Sequence, residues 1–382
     1  MVELGRILVV KLADLGDLLT ATPALRALRT RFASAEITAL VTPHTAALLD
    51  GNDAVNHVIT FPKGLFDSPQ SWLSPVSGAH ALQLASRLAV QLRRGHFDGA
   101  VLLHHFTTRW GSAKYRALIG AAHVPVRAGL DGGGARFLTH RAPDRGFGAR
   151  HEADYWLDVV ATLGARHADA VPSMELHLAA SEIAGAALRW SQLRASPQNV
   201  AVLHPGSGTF SVARRWPADR FAAVGDSLAS QGLLVAIVAG PGEDDVAASV
   251  RSAMRSPSIF LHGISSPRDL AAVLKGCRLF VGNDSGVMHV AATVGVPVVA
   301  VFGLSNHRAW GPYPPLRHRV LRLDLPCSPC MYVGHGLGTP RGCPPRTCLE
   351  ELSPDLVTRA TSDLLALSVP HATSVGGSND GA

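Results

Sequence analysis

Residues 282–289 (GNDSGVMH) combine the residue types that bind anions. A β-branched run precedes them and an apolar helical pattern follows, so a strand should end and a helix should begin here. Because the free N–H groups and the dipole of a helix N-terminus attract anions, this stretch predicts an anion site. Its candidate residues are Asp284, Ser285, Gly286 and His289. The alternative is structural, with Asp284 or Ser285 only capping the helix.

A second strand–loop–helix stretch, residues 7–18, ends in the sequence Leu-Gly-Asp-Leu. Gly16 allows a tight turn, and Asp17 falls at the expected helix N-terminus. A carboxylate held there, at the mouth of a cleft, can take a proton from an acceptor hydroxyl. Asp is also a favoured helix cap, and the spacing alone does not separate the two roles.

Residues 204–208 (HPGSG) follow an expected strand directly. Their small side chains allow backbone N–H groups to approach a phosphate, although the Gly-Lys-Ser/Thr ending of a Walker loop is absent. Arg214 and Arg215 come soon after, and the donor fork of either arginine suits a leaving diphosphate. An ordinary Gly-rich turn with surface arginines is the alternative. Glu243 follows another expected strand, where acidic residues can bind ribose hydroxyls.

Four of the five cysteines lie close together in a Pro/Gly-rich segment, spaced as C-x2-C-x12-C-x4-C. This spacing fits a tetrathiolate site, and disulfides are disfavoured in a reducing cytoplasm. We therefore expect a structural Zn or Fe ion, with unmetallated or redox-active thiols as the alternative. The predicted ligands are Cys327, Cys330, Cys343 and Cys348.

Length and composition suit two α/β domains. The chain has 382 residues, 47% of them apolar, and no apolar run approaches the ~18 residues of a membrane span. Lys11 interrupts the first apolar stretch, which is not typical of a signal peptide, so we expect a cytoplasmic protein. The net charge is +6, and residues 87–150 carry eleven basic side chains against three acidic ones. Such a face can gather an anionic partner, whereas no pattern of a nucleic-acid-binding module accompanies the charge.

Strands and helices alternate in two regions, which predicts two parallel sheets, each with helices on both faces, and a ligand cleft between them. We expect one Rossmann-like domain at residues 1–180 and a second at 195–352. A C-terminal helix should follow at 353–368. The Gly/Ser-rich tail at 369–382 has the composition of a disordered segment.

Four stretches, in this order, resemble glycosyltransferase family 9, the ADP-heptose:lipopolysaccharide heptosyltransferases. They are residues 6–23 (RILVVKLADLGDLLTATP), 204–217 (HPGSGTFSVARRWP), 282–289 (GNDSGVMH) and 295–312 (GVPVVAVFGLSNHRAWGP). Residues 127–130 (RAGL) are similar to a shorter family segment. Each motif is moderately specific, whereas the four in order are highly specific, and the resemblance spans most of residues 6–357.

The resemblance implies a GT-B fold, with the N-terminal domain at 1–180 on the acceptor side and the domain at 195–352 binding the nucleotide-sugar. It also implies an inverting transfer that needs no metal or other cofactor. The implied donor is an ADP-heptose or related ADP-sugar, and the implied acceptor is an anionic saccharide or glycolipid such as the lipopolysaccharide inner core. Asp17 matches the family's proposed general base. The matches on the donor side are Gly206 and Ser207 at the phosphates, Arg214 as a phosphate contact, Glu243 near the nucleoside, and Asp284, Ser285, Gly286 and His289 around the diphosphate and sugar.

The acceptor side has no matching motif of this kind, and residues 61–77 and 129–147 do not identify the acceptor. Alternatives are transfer to a protein or a secondary metabolite, a sugar-nucleotide epimerase, and a non-catalytic nucleotide-sugar-binding protein on the same fold. The cysteine cluster occurs in only part of the family, some members of which use such cysteines to hold iron. A peripheral location at the inner membrane surface is a further expectation.

Overall fold

Two six-stranded parallel sheets, each flanked by helices, form the body of the protein in a computed structural model that describes residues 2–66 and 75–367. The predicted disordered tail at 369–382 lies outside the described residues. Across the two described ranges, no helix combines the length and the apolar character that a bilayer crossing needs.

The first sheet has the strand order β3-β2-β1-β4-β5-β6, with every neighbouring pair parallel. Its central strand β1 is buried from its second residue to its last, as expected where helices cover both faces. The strands are β1 (Arg6–Lys11), β2 (Glu36–Val41), β3 (His57–Thr60), β4 (Gly99–Leu102), β5 (Val126–Asp131) and β6 (His140–Pro143). The helices are α1 (Leu15–Arg31), α2 (Pro75–Arg94), α3 (Arg109–Ala122) and α4 (Glu152–Ala161).

The second sheet repeats this plan with the order β12-β11-β10-β7-β8-β9, also parallel throughout. Its strands are β7 (Val200–His204), β8 (Leu234–Ile237), β9 (Ser258–Phe260), β10 (Leu279–Asn283), β11 (Val298–Val301) and β12 (His318–Leu321). The helices of this half are α5 (Ala180–Gln192), α6 (Ala218–Ser230), α7 (Asp244–Ala253), α8 (Pro267–Leu274), α9 (Gly286–Thr293), α10 (His307–Trp310), α11 (Thr347–Glu350) and α12 (Pro354–Leu367). An antiparallel hairpin is formed by β13 (Met331–Val333) and β14 (Gly336–Gly338).

Helix α1 shows where the local prediction holds and where it fails. It contains Pro23, as expected, but it begins at Leu15 rather than at Asp17. Asp14 is the residue that precedes the helix, and Asp17 lies inside its first turn. The interpretation of Asp17 as a helix cap is therefore wrong.

The two halves share a continuous core, because one cluster of buried apolar side chains extends from Trp156 in the first half to Phe280 in the second. Helices α1 and α9 pack against each other within it. At the back of the molecule, the buried side chain of Arg268 in α8 donates to the carbonyls of Ala47 and Asp50, each at 3.0 Å, and pairs with Glu182 of α5. These contacts tie the second half of the protein to the first.

Candidate active site

The N-termini of α1 and α9 meet at the floor of the cleft. A Cβ atom added to Gly16 would lie only 2.5 Å from Cδ2 of His289, and one added to Gly286 would lie 3.2 Å from a methyl carbon of Leu15. Gly16 lies inside the first turn of α1, so it does not serve the tight turn that the sequence suggests. Its role is close approach, which brings Asp17 and the 282–289 motif into one site.

The Asp17 carboxylate faces a buried lysine. Its Oδ1 lies 3.6 Å from Nζ of Lys11, and that ammonium group also sits 4.1 Å from the ring centroid of Trp156. Burial raises the pKa of Asp17 above its ordinary value, although the charge of Lys11 opposes the rise. Burial likewise lowers the pKa of Lys11. A carboxylate with a raised pKa is better matched to proton abstraction near neutral pH than an ordinary surface aspartate.

The Gly-rich loop after β7 is organised around the Glu243 carboxylate, which is 3% exposed. Its Oε1 accepts hydrogen bonds from the backbone N–H groups of Ser207 at 2.7 Å and Gly208 at 2.8 Å. Its Oε2 accepts from the Gly240 N–H at 3.0 Å and lies 3.2 Å from Nε2 of His204. Burial works to raise the pKa of Glu243, but these donors and the charge of His204 outweigh burial and hold the pKa well below its ordinary value.

This arrangement differs from the predicted one. The loop N–H groups that the sequence assigns to a phosphate are bonded to a carboxylate of the same chain. Gly206 fits the loop because a Cβ there would lie 1.9 Å from Oε2 of Glu243. The contact between Glu243 and ribose hydroxyls stays a prediction, whereas its contacts in the structure are those of a residue that shapes the loop.

Arg214 connects the two donor-side motifs. Its guanidinium donates to Oδ2 of Asp284 at 3.1 Å and to the carbonyl of Ser207 at 2.7 Å. Its Nε is buried and has no hydrogen-bond partner among the described residues. Arg215 turns instead to Glu243, at 3.1 Å. The Nε of Arg215 is likewise buried and without a partner among the described residues, so the two arginines differ in position: Arg214 joins both motifs.

Ser285 and His289 complete the start of α9. The Ser285 hydroxyl accepts a hydrogen bond from the N–H of Met288 at 3.3 Å, so Ser285 does cap the helix. Burial lowers the pKa of His289 to about 4, and its ring is neutral at pH 7. Its Nδ1 is buried with no partner in the described part of the chain. The helix start thus combines the N–H groups and the dipole that favour an anion with a neutral imidazole, and the anion site stays a prediction.

Sequence reasoning missed two groups of residues that hold this site. Asn283, fully buried, accepts from the N–H of Trp216 at 3.0 Å and donates to the carbonyls of Pro205 and Gly206, which locks the Gly-rich loop to β10. Its place inside the 282–289 motif was the available signal.

The second group surrounds the buried ring of His105, which lies 3.0 Å from Asp144 and 3.1 Å from Glu152. Burial opposes protonation, but the two carboxylates outweigh it and raise the pKa of His105 to about 9. The sequence signal was a pair of histidines, His104 and His105, one residue beyond the end of β4. This buried ion network fixes the loop that follows β6, at the first half's edge of the cleft.

The structure does not support the predicted metal site at the four clustered cysteines. Cys327, Cys330 and Cys343 are exposed free thiols, whereas Cys348 is buried in α11 against Gly303. The thiols are near neighbours, since the other three contribute, after burial, to a raised pKa of Cys348. Within residues 2–66 and 75–367, however, no group of three or more His, Cys, Asp or Glu side chains is arranged to hold a metal ion.

Comparisons with known proteins add to this geometry. A model of the family described as glycosyltransferase family 9 (heptosyltransferase) matches residues 85–337, more than half of the chain. The chain is 26% identical over 313 residues to lipopolysaccharide heptosyltransferase 3 of Escherichia coli (strain K12), covering 78% of this chain and 82% of the relative. The first curated relatives match over shorter stretches, so that the chain spans about half of their length, 50% and 51%.

Solved structures agree on the architecture. The glycosyl transferase family 9 protein from Veillonella parvula DSM 2008 superposes with a TM-score of 0.74 at 24% identity, covering 96% of this chain and 98% of that one. The heptosyltransferase WaaC of Escherichia coli, solved with ADP, superposes with a TM-score of 0.68 at 18% identity, covering 94% and 99%. These superpositions confirm the predicted α/β fold, two Rossmann-like sheets in a GT-B arrangement.

Proposed function

Since this chain belongs to glycosyltransferase family 9 (heptosyltransferase), we propose that it is an inverting glycosyltransferase. It moves a heptose, or a related sugar, from an ADP-sugar to a saccharide acceptor of the lipopolysaccharide inner core. The names of the relatives support the sugar and the acceptor. The ADP bound to the structurally similar WaaC supports the nucleotide.

One observation carries the proposal: the contact between the N-termini of α1 and α9, with Gly16 against His289. This contact puts a carboxylate with a raised pKa and an anion site in the same cleft. Asp17 accepts the proton of the acceptor hydroxyl as its oxygen bonds to the anomeric carbon. The bond from that carbon to the diphosphate breaks, and Arg214 with the α9 N-terminus stabilises the charge that grows on the leaving group.

An anionic acceptor is supported by the side chains around His104. Burial lowers the pKa of His104 to about 3, and the positive charges of Lys11, Lys63 and Lys114 lower it further. The chain contains only four lysines, and three of them act on this one imidazole. A carboxylate or phosphate on the acceptor would meet this positive field beside Asp17.

We place the enzyme in the cytoplasm, peripheral to the inner membrane. Helix α2 supports this location, because it exposes the apolar side chains of Leu82 and Val90 beside the exposed Arg87 and Arg94. Apolar and basic side chains on one helix face favour binding to an anionic bilayer surface. Sedimentation with anionic lipid vesicles should therefore carry the wild type into the pellet, and Arg87→Glu with Arg94→Glu should leave it in solution.

The cysteines are the part of the sequence prediction that the geometry does not support. We expect the three exposed thiols, and not the buried Cys277 and Cys348, to react with a thiol reagent in the native state, with metal content near zero. Elemental analysis of protein purified without a His-tag measures this. About one Zn or Fe per chain, with the exposed thiols unreactive, would reinstate the predicted tetrathiolate site.

The decisive experiment incubates the enzyme with ADP-heptose, with and without a lipopolysaccharide acceptor truncated before its heptoses. Acceptor-dependent ADP release and a heptosylated product are expected. Conversion of the donor sugar without acceptor would indicate an epimerase instead. Tight donor binding with no ADP release under any condition would indicate a non-catalytic binding protein.

A further inference from the structure

The β13–β14 hairpin crosses from the second half of the protein to the first. The backbone N–H of Phe147, in the loop after β6, donates to the carbonyl of Gly334 at 2.5 Å. His335 Nε2 lies 3.2 Å from Oδ1 of Asp144, the same carboxylate that binds His105. A Cβ on Gly146 would lie 2.6 Å from the Gly334 backbone. The hairpin is thus docked on the first half by contacts too close to admit a side chain at Gly146.

This docking holds one aromatic ring among residues from both sides of the cleft. The Tyr332 ring lies 5.3 Å from that of Phe147 in the first half, and 5.7 Å and 6.5 Å from those of Trp310 and Phe210 in the second. The side-chain amide of Asn306 donates to the carbonyl of Tyr332 at 2.8 Å. Tyr332 also has a φ of 55°, a left-handed conformation that costs a bulky residue free energy and persists only where its surroundings enforce it.

The stacking of Tyr332 on Phe210 locates it relative to the chemistry, because Phe210 lies between Ser207 and Arg214 in the loop after β7. The pKa of Tyr332 is raised, first by burial and then by the carboxylates of Asp17 and Asp284, while Arg214 lowers it. This direction agrees with the position that the stacking on Phe210 gives, near the proposed base and the proposed diphosphate residues. The anomeric carbon must occupy the space between that base and that diphosphate during transfer.

We propose that Tyr332 is a specificity-determining residue whose ring forms one wall of the pocket for the transferred sugar. This inference rests on the proposed function, because it assumes a nucleotide-sugar between Asp17 and Arg214. The flat face of an aromatic ring packs against the apolar C–H face of a sugar ring, and such a contact discriminates between sugars by shape. The hairpin is docked on the first half through Gly334 and His335. These contacts fix the distance between the Tyr332 ring and the floor of the cleft.

The test compares binding of ADP and ADP-heptose by calorimetry in the full-length protein. Removing the ring in Tyr332→Ala should weaken ADP-heptose by about three- to ten-fold, the usual range for one aromatic contact, and should change ADP affinity far less. Tyr332→Phe keeps the ring and should keep the wild-type ratio of the two affinities. Tyr332→Gly should lower the affinity for ADP-heptose relative to ADP as Tyr332→Ala does, and glycine also tolerates the left-handed backbone conformation. Its melting temperature therefore separates the loss of the ring from a loss of folding. Val333→Ala, at the adjacent and half-exposed position, is the matched control.

Equal weakening of ADP and ADP-heptose in Tyr332→Ala would overturn the proposal and leave the ring as a support of the hairpin. A change confined to the KM of the acceptor would overturn it as well. Wild-type protein that binds ADP but not ADP-heptose would refute the proposed donor, and this inference with it. Wild-type protein that binds both, with an unchanged ratio in Tyr332→Ala, would refute this inference alone.

Discussion

Replacing Glu243 with Gln tests whether a buried carboxylate shapes the donor loop. The substitution keeps the size of the side chain and removes its charge. Glu243 accepts from the N–H groups of Ser207, Gly208 and Gly240, and it pairs with His204 and Arg215. The side chain of glutamine has one oxygen, so it can replace only one of the two carboxylate oxygens as an acceptor. Its NH2 group then faces at least one backbone N–H donor.

The magnitude follows from those contacts. Losing the charge-assisted part of several hydrogen bonds and leaving one buried donor unpaired should cost about 3 kcal/mol of the free energy of unfolding. At roughly 2–4 °C per kcal/mol, the melting temperature should fall by about 6–12 °C. Because Gly206 and Ser207 lose their fixed conformation, affinity for ADP should fall as well.

The pH dependence gives a second measure. The folded-state pKa of Glu243 is lowered relative to the unfolded chain, so its stabilising effect is present above the unfolded pKa of about 4.3 and is lost as pH falls towards the folded-state pKa. The difference in melting temperature between wild type and Glu243→Gln should therefore be largest near neutral pH and should shrink in acid. Asp244→Asn, which removes the adjacent exposed carboxylate, is the control.

Scanning calorimetry at pH 7 and at successively lower pH, from about 4 to about 3, follows the difference in melting temperature, and titration at pH 7 gives the affinity for ADP. A Glu243→Gln protein that melts within about 1 °C of wild type, where the contacts require several degrees, would refute the reasoning. If it melts normally but loses ADP affinity alone, Glu243 contacts the nucleotide directly, as the sequence predicted.

Three further predictions concern the cleft. Asp17→Asn should lower turnover by about 10²–10⁴-fold with donor affinity little changed, and normal turnover in the variant would end the assignment of a base. Because burial raises the pKa of Asp17, wild-type turnover should fall with decreasing pH well before an ordinary aspartate protonates. Arg214→Ala should weaken ADP binding more than Arg215→Ala, measured by calorimetry, since only Arg214 joins both motifs; the reverse order would transfer the role to Arg215. Gly16→Ala should lower both melting temperature and turnover because its methyl group meets His289. Gly185→Ala on α5, where a Cβ has open space, should be neutral or stabilising. Equal changes in the melting temperatures of the two variants would show that the close approach does not matter.

The parts of the site that the sequence predicts are local ones. The 282–289 motif and the stretch before Asp17 each combine a strand, a turn and a helix start within a few residues. Their patterns therefore determine backbone conformation and position together. Two such motifs after parallel strands had to face a common cleft, and the contact between α1 and α9 agrees with that expectation.

The parts that were missed depend on contacts between distant residues. His105 lies 39 residues from Asp144 and 47 from Glu152, so no spacing rule links them. The β13–β14 hairpin was hidden because its segment is rich in Pro and Gly, residues that disfavour strands. Glu243 can shape the loop only because Gly206 has no side chain. The sequence shows the glycine, but it does not show that Glu243 is the residue that packs against it.

Several glycines of this cleft have the same physical role: each leaves room for a side chain from a distant segment. The interpretation of Gly206 as part of a phosphate loop does not include this role. Gly16 admits His289, Gly206 admits Glu243, and Gly148 lies so close to Asn306 that a Cβ would be 2.2 Å from its amide nitrogen. In each case a polar side chain from a distant segment occupies the space that a methyl group would fill. Side chains held this way have little freedom to reorganise, and preorganised dipoles and charges are what stabilises the developing charge of a transition state. Alanine at these glycines should therefore depress turnover through the neighbour's displacement, even though none of the glycines has a functional group.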